Sequence, residues 1–150
     1  MKKIFIYFSE TGNGDVVADY LKDKGYEIRK VEAKKKLPKV MFFQMMVGGF
    51  QAATGKRPKL KDFDTNIDKY DEVVIGSPIW FDRLAAPTNT MLDKLDLSNK
   101  KVSFILYSGG GTNINGTKTI NEKYKGAKIV ELKQPKNNKE ELNKIKKELL

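Results

Sequence analysis

The stretch Ser9-Glu10-Thr11-Gly12-Asn13-Gly14 sets two hydroxyls and two glycines between an apolar run, Ile4 to Phe8, and a segment from Asp15 onward. In that segment Val16, Val17, Ala18, Tyr20 and Leu21 line one helical face. Ser9 and Thr11 can donate hydrogen bonds, Gly12 and Gly14 let a backbone approach closely, and the helix N-terminus just beyond offers unpaired N–H groups. Together they form a cradle for a phosphate that needs no lysine. Glu10 and Asp15 carry the wrong charge for a dianion, so the reading requires both to face solvent. A plain strand-to-helix turn accounts for the same residues, since short glycine motifs are weak signals.

Two other stretches hold unusual residue types. Gly76-Ser77-Pro78-Ile79-Trp80-Phe81-Asp82-Arg83-Leu84-Ala85-Ala86-Pro87 contains the single tryptophan, stiffened by Pro78 and followed by Phe81, so aromatic faces are available to cover a flat ligand. Packing alone is the competing account of Trp80. Tyr107-Ser108-Gly109-Gly110-Gly111-Thr112-Asn113 has three consecutive glycines, which are entropically costly and expose bare N–H and C=O groups suited to the polar edge of a ring. A permissive turn before a helix capped by Thr112 is the alternative.

Composition narrows the chemistry. The chain of 150 residues has no cysteine and no histidine. Thiol nucleophiles, disulfides, imidazole bases and Cys/His zinc sites are thereby excluded. No catalytic side chain and no metal site are expected, and a bound ligand must supply any redox step. The length suits one domain over 1–150, and no apolar stretch approaches a membrane span or a signal-peptide core, which points to a soluble, cytoplasmic protein. Of the formal charge of +10, eight positive charges fall between Ala33 and Lys61: Lys34, Lys35, Lys36, Lys39, Lys56, Arg57, Lys59 and Lys61, with no acidic residue.

Positioning these stretches requires strands that end where they begin. Lys3 to Phe8, Tyr26 to Val31, Glu72 to Ile75, Val102 to Tyr107 and Lys128 to Leu132 read as strands. Asp15 to Asp23, with Gly25 as its C-terminal cap, Pro87 to Leu95, Thr112 to Tyr124 and Asn138 to Leu150 read as helices. This alternation predicts an α/β parallel sheet covered on both faces, in which ligands sit beyond the carboxyl ends of the strands where strand order reverses. The loops Ser9 to Gly14, Ser77 to Pro87 and Ser108 to Thr112 all lie there.

In these three motifs, taken in order over nearly the whole chain, the sequence resembles the flavodoxin family. The resemblance implies a flavodoxin-like three-layer sandwich with a five-stranded parallel sheet in the order 2-1-3-4-5 and FMN as the cofactor. It implies that Ser9, Thr11, Gly12, Asn13 and Gly14 hold the FMN phosphate. It further implies that Ser77, Pro78, Ile79, Trp80 and Phe81 flank the ring, with Trp80 stacked on it, and that Ser108, Gly109, Gly110 and Gly111 meet its pyrimidine edge. Three departures stand out: Gly14 replaces the hydroxyl residue that usually ends the phosphate loop, Trp80 to Arg83 lacks the glycine often found near the ring, and the chain is basic where familiar flavodoxins are acidic.

The function implied is electron transfer through FMN, with acidic redox proteins as partners; the alternative is an NAD(P)H-dependent quinone or flavin reductase of the same fold. Residues 33–61 form a basic, Met/Phe-rich crossover whose run from Val40 to Phe50 is apolar on every helical face except at Gln44. It reads either as an ordinary crossover helix or as a lid or docking surface beside the ring, with Gly48-Gly49 as hinge or close-packing point and Met41, Met45 and Met46 as adaptable contacts. A membrane-surface role also suits basic flanks around an apolar helix. Specific nucleic-acid binding is not expected, because the lysines flank the Met/Phe run instead of interleaving with aromatics.

Overall fold

Residues on the first strand alternate between two hydrophobic cores, which is why the sheet must be covered twice. Ile4 and Ile6 join Val73, Ile75, Phe104 and Leu106 on one face. Phe5 and Tyr7 join Val74, Ile105, Tyr107 and Val130 on the other. Burying each such side chain contributes about 1.5–3 kcal/mol, so both faces hold substantial stabilisation. The computed structural model describes every residue except Lys39, and within the second helix it leaves out the side chains of Met41, Phe42, Gln44, Met45, Ala52 and Ala53.

The elements run β1 (Lys3–Phe8), α1 (Asn13–Lys22), β2 (Glu27–Val31), α2 (Met41–Ala53), β3 (Glu72–Trp80), β4 (Arg83–Leu84) and α3 (Ala86–Lys94). They continue with β5 (Lys101–Ser108), α4 (Asn115–Lys123), β6 (Lys128–Lys133) and α5 (Leu142–Glu148). The sheet order is β2-β1-β3-β5-β6, all parallel, with the two-residue β4 paired antiparallel to β3. Leaving β4 aside, this is the order 2-1-3-4-5 expected of the flavodoxin-like sandwich. The face built on Phe5 and Tyr7 is covered by Val17, Ala18 and Leu21 of α1 and Ile145 of α5. The opposite face is covered by Met91 and Leu92 of α3 and Ile120 of α4.

Several boundaries differ from the sequence reading. The third strand does not stop at Ile75 but runs to Trp80, because Ser77 and Pro78 keep pairing with Leu106 and Tyr107 of β5. Pro78 lies past the last pairing with β1, Tyr7 opposite Gly76, so its missing N–H leaves no bond to β1 unmade. The fourth helix starts at Asn115 rather than Thr112. The last helix is a single 3₁₀ turn, Lys139–Glu141, followed by α5. The basic crossover is closed at its base: Ala33 pairs with Leu60, the Lys34 N–H donates to the Lys59 carbonyl at 2.9 Å, and the Lys61 N–H donates to the Glu32 carbonyl at 2.8 Å.

Candidate functional site

The first loop folds around one hydroxyl. Ser9 Oγ accepts from the Gly12 N–H at 3.2 Å and from the Gly14 N–H at 3.0 Å, so it organises the loop and keeps its proton to donate. Gly12, at φ 98°, turns the chain into α1. Gly14 is buried, and a Cβ there would stand 2.5 Å from the Tyr107 hydroxyl and 2.7 Å from the Tyr7 ring, so no side chain fits at the position. Thr11 is exposed at the rim, and the Asn13 amide approaches its hydroxyl at 3.5 Å.

The two carboxylates that the sequence reading placed in solvent are each partly exposed, and Asp15, its side chain 44% exposed, is also bonded within the fold. Asp15 accepts from the Tyr7 hydroxyl at 2.7 Å and from Lys30 Nζ at 2.8 Å, which answers its charge within the fold. Burial pushes the Asp15 carboxyl up, but the bonds from Lys30 and Tyr7 outweigh it and hold the group below its ordinary value. Burial, then the bond to Asp15, pushes the Tyr7 hydroxyl far up, so it stays a proton donor. Glu10 is half-buried and lines the cleft described below.

The second loop is a two-residue hairpin. Trp80 pairs with Arg83, leaving Phe81 and Asp82 as the turn, with φ 49° and 60°. Both angles positive is the turn that matches strand twist, and it normally takes Asn or Gly because larger residues are strained there. Asp82 compensates by capping α4: its carboxylate accepts from the Ile114 N–H at 2.6 Å, the Asn115 N–H at 3.2 Å and the Asn115 amide at 2.9 Å. The expected cap, Thr112, is exposed; Asp82 and Asn113, which accepts from the Thr117 N–H at 2.8 Å, do its work. The Trp80 ring meets Phe8 edge-on, with centroids 5.8 Å apart.

Helix α2 lies over this hairpin. A Cβ on Gly48 would stand 3.3 Å from the Trp80 ring, and one on Gly49 would overlap the Phe81 ring, so the paired glycines are a close-packing point. Phe43, Met46, Val47 and Phe50 are exposed on the remaining surface of the helix, and Phe81 is 61% exposed beside it. The side chains of Met41 and Met45, and Lys39, lie outside the described residues. A cleft of about 190 Å³ runs between the loops, lined by Glu10, Thr11, Leu37, Gly48, Gly49, Pro78, Ile79, Trp80 and Phe81. It lies at the carboxyl ends of β1 and β3, where the strand order reverses. Ser77 is not on its wall: the residue is buried, its hydroxyl 2.8 Å from that of Thr88.

The third loop is next in the sheet. Ser108 Oγ accepts from the Gly111 N–H at 2.8 Å, and Gly111, at φ 81°, is buried against Lys133. Gly109 and Gly110 are exposed beyond the carboxyl end of β5, with the Gly109 carbonyl accepting from the Gln134 amide at 3.3 Å. Tyr107 ties this loop to the first by donating to the Phe8 carbonyl.

Sequence reasoning missed a fourth loop. After β6 the Gln134 N–H donates to the Ser108 carbonyl at 3.0 Å, the Lys136 N–H to Asn13 Oδ1 at 3.0 Å, and Lys136 Nζ to the Thr11 carbonyl at 3.0 Å. Its position beyond a strand end was a usable signal, hidden among the chain's many lysines. Among the described residues no group of acidic side chains is arranged to hold a metal ion, and no helix is long and apolar enough to cross a membrane.

The doubly covered parallel sheet with hydroxyl, glycine and aromatic loops at the carboxyl ends of its strands defines the flavodoxin-like class of α/β fold. A family model for NADPH-dependent FMN reductases matches residues 8–120, and the chain belongs to that family. FMN is accordingly its cofactor, and the family is the FMN reductases rather than flavodoxin itself. Solved structures show the same fold. A provisionally named flavoprotein from Bacteroides eggerthii is 24% identical with a TM-score of 0.71, over 85% of this chain and 84% of that one. A flavoprotein from Lactobacillus acidophilus, solved in complex with FMN, is 21% identical with a TM-score of 0.69, over 86% of this chain and 89% of that one. No curated protein matches the chain in sequence.

Proposed function

We propose that this flavoprotein is an NAD(P)H-dependent oxidoreductase that reduces a quinone or a free flavin through FMN. The observation that carries the reading is the cleft joining Thr11 of the glycine and hydroxyl loop to Trp80 and Phe81 at the β1/β3 switch point. Membership of the FMN reductase family favours it over a pure electron carrier.

The residues divide the work by chemistry. Gly12 turns the chain into the helix and Gly14 lets the loop pack onto Tyr7 and Tyr107, the N-terminus of α1 at Asn13 favours an anion, and the Ser9 and Thr11 hydroxyls are the donors for phosphate oxygens. Pro78, Ile79, Trp80 and Phe81 form the apolar wall of the ring site. Ser77 acts behind them, fixing the strand through Thr88. Ser108 shapes the glycine turn through Gly111, and Gly109 and Gly110 offer backbone groups to the polar edge of the ring. FMN, held by these residues, would supply the redox chemistry, a two-electron exchange between nicotinamide and acceptor. The overall change is NAD(P)H, a proton and a quinone giving NAD(P)⁺ and a hydroquinone.

A second reading, an electron carrier that docks on acidic redox proteins, is favoured by the charge of +10, by the exposed Phe81 at the cleft and by the exposed Phe50 on α2. The test is steady-state NAD(P)H consumption by the FMN-loaded protein with a quinone or excess FMN. Turnover that saturates in both substrates supports the reductase; no turnover, with rapid reduction by a separate reductase protein, supports the carrier.

A further inference from the structure

We propose that Lys136 is a phosphate-site residue, which sets the preference of this protein for a phosphorylated flavin over riboflavin. The inference rests on the FMN reading above. The ammonium is held at the loop itself: Nζ donates to the Thr11 carbonyl at 3.0 Å, and the side chain lies against Gly12, with Nζ 3.4 Å from where a Cβ would stand. Its own N–H holds Asn13 Oδ1 at 3.0 Å, so the backbone and the side chain of one lysine grip both sides of the loop turn.

The position is built rather than incidental. Pro135 is buried, Gln134 bonds the third loop through the Ser108 and Gly109 carbonyls, and the Asn137 and Asn138 N–H groups close the turn on the Gln134 carbonyl. Asp15, which the Lys136 charge also reaches, makes its hydrogen bonds to Tyr7 and to Lys30 at 2.8 Å instead. Lys136 therefore adds a positive charge to the Thr11-Gly12-Asn13 side of the loop, whose own groups are a hydroxyl, an amide and backbone N–H groups. A phosphate dianion feels that charge, and riboflavin does not.

The test is the dissociation constant of FMN and of riboflavin, read by flavin fluorescence with the flavin-free protein, for wild type, Lys136→Gln and Lys136→Arg across a salt series. Lys136→Gln should weaken FMN on the order of tenfold, as expected for losing one nearby unit charge behind partial solvent screening, and leave riboflavin within about twofold. Lys136→Arg should restore most of the loss. The wild type gives a reading that needs no variant, because FMN binding should weaken with salt more steeply than riboflavin binding. Equal losses of both flavins in Lys136→Gln would make the lysine a mere strut for the loop, and unchanged FMN affinity or equal salt slopes would overturn the inference while FMN binding itself stands. A wild type that binds neither flavin would end the cofactor reading and this inference with it.

Discussion

At the scale of single residues, the loop hydroxyls and the one indole carry separable tasks. Thr11 sits exposed at the rim of the phosphate loop, so Thr11→Ala should weaken FMN roughly ten- to hundredfold, the worth of a hydrogen bond to a charged group, and leave riboflavin unchanged. Equal losses for the two flavins, measured by fluorescence titration, would remove the phosphate from this loop. Trp80 should behave differently, since a ring contact does not distinguish the flavins. Trp80→Ala is expected to weaken both and to brighten whichever remains bound, and unchanged emission would return the indole to packing against Phe8 and Gly48. Asp15 provides a pH signature. Its carboxyl is held below the ordinary value, so its bonds to Lys30 and Tyr7 stabilise the fold above about pH 4 and are lost as pH falls through the folded value. Wild type should therefore be more stable than Asp15→Asn at neutral pH, with the gap in urea midpoints closing in acid; a gap that widens would contradict the assignment.

Among the elements, the hairpin between β3 and β4 and the helix it caps form one mechanical unit. Asp82 holds three donors at the start of α4, so Asp82→Ala should cost about 1–2 kcal/mol in urea unfolding, the range of a lost helix cap, and loosen the loop beside Trp80. A loss below about 0.3 kcal/mol would mean that Asn113 caps the helix adequately alone. This unit also marks where the sequence was legible and where it was not. Alternating apolar runs such as Ile4 to Phe8, ending in Ser9 and glycines, exposed the parallel sheet and the side of it that bears loops, because burial on two faces imprints a local pattern. The hairpin left no such imprint: Phe81 and Asp82 occupy positions that usually announce themselves as Asn-Gly, and tertiary bonds to α4 override the local preference. Lys136 was invisible for a related reason, since its meaning depends on a contact with Thr11 across 125 residues. The departure at Gly14, by contrast, has a plain cause in the crowding of Tyr7, Tyr107 and Ser9.

For the whole molecule, the question is what the concentrated charge does. The ladder joining Glu32 and Lys34 to Lys59 and Lys61 closes the base of the crossover that holds eight cationic residues in sequence, and the excursion brings Leu37 and the α2 glycines Gly48 and Gly49 to the cleft. Arg57 is answered by Asp93 at 2.7 Å and Lys61 by Glu32 at 3.4 Å. Arg83 is exposed on the hairpin beside Trp80. A unit charge about 8 Å from the ring at an effective dielectric near 20 is worth roughly 2 kcal/mol before screening, and distant lysines count for much less. Arg83→Glu should therefore lower the midpoint potential of the bound flavin in a redox titration, and an unmoved potential would leave the charge to docking or solubility alone. The central claim, a reductase built on this cleft, is tested most directly by mixing the FMN-loaded protein with NADPH in the absence of air and following the visible flavin absorbance. The account predicts bleaching at a rate that saturates with NADPH. A flavin that stays oxidised with NADPH and NADH alike, yet is reduced at once by dithionite or by a partner reductase, would contradict it.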